Sequence, residues 1–147
     1  SVTPFTSSLP RGLTLQFTAT GTFSDGTTQD LTDQVTWTSA NPAIASISNT
    51  SGSKGLATAL NLGSTFITAS LSGVTSFAIL TVTPAVLTSI TVTPANATVA
   101  VTTQSGTRIP YTATGLYSDA TTQNMTTQVF WSTSNTTVAT ISNAPGT

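Results

Sequence analysis

The sequence contains no cysteine, no histidine and, read residue by residue, no glutamate. Each absence closes off some chemistry. Without cysteine there is neither a disulfide framework nor a thiolate zinc site. With neither histidine nor cysteine, a nucleophilic triad lacks its base or its thiolate. Glycoside hydrolysis needs two carboxylates facing each other across a cleft. The only clustered carboxylates, Asp25, Asp30 and Asp33, fall within nine residues around one expected hairpin. Lys54 lies in a Gly/Ser stretch, a poor place for the desolvation that would activate it beside a serine. The chain is therefore expected not to be an enzyme. Charge is scarce as well: three basic and four acidic residues leave a net charge of −1. Nucleic-acid binding needs a clustered basic surface, so no nucleic-acid partner is expected. No uncharged apolar run approaches the ~20 residues of a membrane span, so no membrane insertion is expected. No signal peptide is visible at Ser1.

What is abundant is hydroxyl. Thr occurs 36 times and Ser 19 times in 147 residues. Thr is β-branched and fits a pleated surface, so this composition leans towards strands and away from helices. Low charge with few aromatics also occurs in disordered chains, but those lack regularly spaced apolar residues. Here apolar residues recur throughout, and the chain reads as folded. The scarcity of Lys and Glu suits an exported, solvent-facing protein more than a cytosolic one.

The chain repeats itself. Residues 17–52 align with residues 111–146 at a constant offset of 94 (111 − 17), with 19 of 36 positions identical. The replacements are mild: Phe17 becomes Tyr111, Leu31 becomes Met125 and Ile44 becomes Val138. Val2-Thr3-Pro4 matches Val92-Thr93-Pro94 at an offset of 90. Two domains follow, 1–84 and 88–147, joined by a few residues around Ala85–Leu87. The second has no counterpart of Ser53–Thr83, so it is expected to lack its C-terminal strands.

Strand signals are plain in the first copy. Leu13, Leu15, Phe17 and Ala19 alternate with polar residues, the period of a half-buried strand. Gly21 suggests a bulge, and Ser24-Asp25-Gly26-Thr27 suggests a two-residue primed hairpin turn. Val35 and Trp37 share one face of the next strand. Ile44 and Ile47, Leu56–Leu60, Phe66–Leu71 and Phe77–Thr83 complete about seven strands. Short strands at this spacing, with no helical period, indicate an all-β sandwich of two antiparallel sheets. Trp37 and Trp131 are expected in the core.

The pieces Val2–Pro4, Leu9–Thr32, Val35–Ser39, Asn41–Ser48, Gly55–Ala59, Gly63–Ala69 and Val82–Pro84, in that order, resemble the bacterial immunoglobulin-like domain, group 2. The likeness covers the first copy entirely and the second over Thr88–Gly146. It implies tandem all-β Ig-like sandwiches, the second incomplete, as in extracellular adhesins, phage tail proteins and cell-wall enzymes. It also implies a role as spacer, stalk or adhesive unit on a surface protein or fibre. Calcium binds some members, which makes Asp25, Asp30 and Asp33 candidate ligands, since calcium takes hard oxygen donors. The second copy speaks against a shared site, because Asp119 persists while Asp30 becomes Asn124 and Asp33 becomes Thr127. No cofactor is expected otherwise.

Phe130, which replaces Thr36, falls at an outward position if Trp131 points inward; with Tyr117 it is a candidate contact surface. The expected partners are neighbouring Ig-like domains of the same chain, copies of itself, or a host receptor or glycan. The unfinished second copy is read as part of a longer array. The alternative is a filament subunit completed by strands from a neighbour. Sequons at Asn49, Asn96, Asn124 and Asn135 are assigned no function.

Overall fold

A computed structural model describes residues 1–100 and 107–143. Among these residues the chain forms thirteen strands and no helix, and it divides into two compact units, Ser1–Val86 and Leu87–Thr147. The all-β, Ig-like expectation holds.

The first unit contains β1 (Val2–Thr3), β2 (Thr6–Pro10), β3 (Thr14–Gln16), β4 (Thr18–Thr22), β5 (Thr28–Asp30), β6 (Thr36–Ser39), β7 (Ala45–Ile47), β8 (Leu56–Ala59), β9 (Gly63–Leu71) and β10 (Val74–Thr83). One layer is the four-stranded sheet β2-β10-β9-β6. The other is built from two three-stranded sheets, β1-β4-β5 and β3-β8-β7, which meet end to end along residues 14–22. The single strand expected there is interrupted at Phe17, whose N–H donates to the Gly55 carbonyl at 2.8 Å instead of to a regular ladder partner. The N-terminal segment switches layers. Val2 and Thr3 pair antiparallel with β4, and from Thr6 the chain runs parallel to β10.

Both layers contribute to one core. Phe17, Ala19, Ala45, Ala57 and Ala59 come from one side, and Leu9, Trp37, Ile67, Ala69, Ala78, Leu80 and Val82 from the other. Trp37 is 1% exposed, the largest of the fully buried side chains. Burying each large apolar side chain here stabilises the fold by about 1.5–3 kcal/mol.

Two local expectations need correction. Gly21 is not a bulge: it pairs regularly with Gln29, and the Leu31 side chain occupies the space where a Cβ would stand. The turn at Asp25-Gly26 is not a two-residue primed turn. Gly26 N–H donates to the Phe23 carbonyl at 3.0 Å, and only Gly26 has positive φ (82°). That makes a three-residue loop ending in a left-handed glycine.

The second unit contains β11 (Leu87–Thr93), β12 (Thr112–Tyr117) and β13 (Thr122–Asn124), one antiparallel sheet in the order β11-β12-β13. Its registers reproduce those of the first unit. Val92 faces Ala113 as Val2 faces Ala19, and Gly115 faces Gln123 as Gly21 faces Gln29. Among the described residues, counterparts of β8, β9 and β10 are absent. Trp131, expected in a core, is half-buried, and its ring meets Tyr111 at 6.4 Å.

Candidate functional site

The three expected calcium ligands are not brought together. Asp25 lies in the β4–β5 loop, where Oδ1 accepts from the Thr27 N–H at 2.9 Å and from Thr27 Oγ1 at 2.7 Å. Asp30 ends β5, and its Oδ1 accepts from the Thr32 N–H at 2.8 Å. Both are Asx-type turns, in which the carboxylate closes its own loop. The Thr27 hydroxyl and N–H hold the Asp25 carboxyl below its ordinary pKa, and Thr32 does the same for Asp30. Asp33 contributes its backbone carbonyl, which accepts from Lys54 Nζ at 2.8 Å. No three acidic, His or Cys side chains among the described residues converge closely enough to hold a metal ion. This donor set does not fit calcium, because Asp25 and Asp30 each close their own turn and no candidate converges on another. Lys54 is likewise occupied, donating to the Asp33 and Val35 carbonyls.

The candidate contact residues of the second unit differ from each other. Phe130 is 85% exposed. Tyr117 is half-buried, and its hydroxyl donates to Gln123 Oε1 at 3.0 Å. Phe130 and Trp131 border a shallow, open groove with Thr133, Thr136 and Ile141.

A repeated hydrogen-bond latch went unnoticed in the sequence. The Trp37 N–H donates to Asn49 Oδ1 at 2.8 Å, and Asn49 Nδ2 donates back to the Trp37 carbonyl at 2.8 Å. The indole Nε1 donates to the Thr32 carbonyl at 3.0 Å, while Thr32 Oγ1 accepts from the Ala19 N–H at 3.0 Å. The second unit repeats every bond at an offset of 94. Trp131 N–H reaches Asn143 Oδ1 at 2.7 Å, Asn143 Nδ2 reaches the Trp131 carbonyl at 2.9 Å, Trp131 Nε1 reaches the Thr126 carbonyl, and the Ala113 N–H reaches Thr126 Oγ1. The signal was present: Trp, Asn and Thr are all among the identical positions of the repeat. Asn49 looked like part of a chance sequon, whereas its amide works as a short substitute strand for β6.

Also missed were three exposed rings on the outer face of the β2-β10-β9-β6 layer. Phe66 and Phe77 meet edge to face, centroids 5.4 Å apart at 89°, and Phe5 lies 6.0 Å from Phe77. Strand periodicity would have found two of them. With Ile67 and Ala78 inward, Phe66 and Phe77 must point outward.

No helix among the described residues is long and apolar enough to cross a membrane. Comparison with known proteins places the chain in context. It is 44% identical over 151 aligned residues to ice-binding protein 1 of Shewanella frigidimarina, covering 99% of this chain and 16% of that protein. The chain therefore spans about a sixth of that relative. Domains 5-6 of the S-layer protein SbsC superpose with a TM-score of 0.49 at 16% identity, over 86% of this chain and 65% of that one. A profile of the bacterial Ig-like domain (group 2) matches residues 1–82, and with the sandwich, the repeated latch and the paired registers already in view, the chain belongs to that family.

Proposed function

We propose that this chain is a structural segment of an extracellular bacterial surface or fibre protein, a run of Ig-like units that set spacing rather than carry out chemistry. The observation that supports it most is the repetition of one hydrogen-bond scheme at an offset of 94 in both units, built from backbone groups and uncharged side chains. Such a scheme serves shape, and neither copy adds a nucleophile, base or metal ligand to it. On this reading residues 1–84 and 88–147 act as successive domains. The relative that names ice as its target extends well beyond the aligned segment, so target recognition is assigned to other parts of the parent protein. The test is replacement, in the parent protein, of this segment by an unrelated Ig-like pair of similar length. Surface display and target binding should persist. Loss of target binding with display intact, or ice or glycan binding by the isolated 147-residue chain, would overturn the spacer reading.

A second reading, contact with a receptor or glycan through Phe130 and Tyr117, is favoured by the exposure of Phe130. Phe130→Ala and Tyr117→Ala that leave glycan-array and receptor binding unchanged would count against it.

A further inference from the structure

The outer face of the β2-β10-β9-β6 layer is apolar where a solvated sheet face would normally be polar. Phe5, Phe66 and Phe77 are 61%, 50% and 48% exposed. Taking a typical aromatic side-chain area, they leave on the order of 300 Å² of ring surface in water. Ile79, directly across from Phe66, extends the patch, with Thr38 and Thr68 beside Phe77 and Ser64 and Thr81 beyond Ile79. Strand formation does not call for rings here. Thr occupies the neighbouring outward positions of the same sheet and suits a strand as well. A clustered, exposed apolar patch rimmed by polar residues marks an interaction surface.

Charge decides the occupant. The four strands of this layer contain no charged residue. A charged partner would lose hydration at its own charges and find no counter-charge to meet. A second copy of the same face brings none, and its hydroxyl rows provide the neutral polar rim that surrounds an apolar contact. We propose that this face is an interface between two copies of the chain, packed face to face about a two-fold axis. The inference goes beyond the spacer reading and does not rest on it. The apolar patch is well below the ~800 Å² per partner of a standard interface, so the contact is weak, with Kd on the order of 0.1–1 mM. Such a contact matters when copies are held side by side on a surface, where local concentration is high.

The test is sedimentation velocity of the whole chain from about 10 µM to about 1 mM. The weight-average mass should climb from 14.9 kDa towards twice that value, with little change between low and high salt because no charge pairs are involved. Phe66→Thr with Phe77→Thr should weaken association at least ~10-fold, while Phe130→Thr leaves it unchanged. The near-UV circular dichroism of buried Trp37 verifies that the double variant is folded. A wild-type chain that stays at monomer mass up to about 1 mM overturns the proposal. So does association that Phe130→Thr abolishes, or that collapses with added salt. Glycan binding by a monomeric wild type, lost in the double variant, would assign the face to a sugar instead.

Discussion

The two units share a local structure but not an environment. In each, a Trp is latched by an Asn amide and by a Thr carbonyl, with distances that agree within 0.1 Å. Trp37 is sealed between layers; Trp131 stands half in solvent. The repeated 36-residue segment therefore carries its hydrogen bonds within itself, whereas the burial of Trp37 draws on core residues of β8, β9 and β10, outside that segment. Hydrogen bonding and apolar packing, usually inseparable in a core, are separated here within one chain.

Substitutions at matched positions probe that separation. The largest effect is expected for Trp37→Ala, about 3–5 kcal/mol from the lost apolar contacts and the cavity. Trp131→Ala removes the equivalent indole hydrogen bond from a half-exposed ring and should cost about 1 kcal/mol. Urea unfolding of each variant, followed by far-UV circular dichroism, measures both; equal losses would mean that the indole hydrogen bond, not burial, dominates. Next come the latch asparagines. Asn49→Ala leaves a part-buried N–H and carbonyl of Trp37 without partners and should cost about 1–3 kcal/mol. Asn143→Ala exposes the equivalent groups to water and should cost under about 1 kcal/mol. Hydrogen exchange at the Trp37 and Trp131 amides gives the comparison directly.

The β-turns offer a smaller contrast. Gly26 has φ of 82°, and its counterpart Ala120 adopts φ of 63°. Left-handed geometry disfavours a Cβ by about 1 kcal/mol. Gly26→Ala should destabilise the first unit by about that amount, and Ala120→Gly should slow exchange in β12 and β13 by a few-fold. Smallest of all is the acid dependence. Asp25 and Asp30 have depressed pKa values in the folded chain, so their contribution is complete above the ordinary carboxylate range and fades as pH falls below about 4. Asp30→Asn removes that contribution without disturbing the turn, because Asn124 Oδ1 already accepts from the Thr126 N–H at 2.9 Å, and should shift the acid-unfolding midpoint slightly upward. A midpoint that does not move would show that Thr32 contributes as much to the neutral side chain.

How much of this was readable beforehand depends on how local the cause is. The strand through Trp37, the sequence repeat and the Ig-like order were legible because period-2 alternation and sequence self-similarity are properties of short stretches. The contact between Gly21 and Leu31 was not, since a missing Cβ signals a bulge and a close approach equally well until the facing residue is placed. Asp25, Asp30 and Asp33 fail to converge for a related reason: near in sequence, two of the carboxylates are each drawn to a neighbouring Thr amide. Phe66 and Phe77 were placed in strands but not on a face, although alternation with the inward Ile67 and Ala78 turns both outward. Asn49 was illegible for want of its partner, Trp37, twelve residues away.

The latch has one more consequence, for how such arrays are made. Tandem copies this similar invite a strand of one unit to add to its neighbour while both are still forming, a characteristic fault of repeat proteins. β6 is an edge strand, and the Trp37 N–H and carbonyl that point away from β9 are the groups an intruding strand would seize. Asn49 occupies both from only twelve residues along the same chain, a loop that closes far sooner than any neighbour can arrive. In each copy one side-chain amide thus covers, from within its own segment, the backbone groups that a stray strand would need.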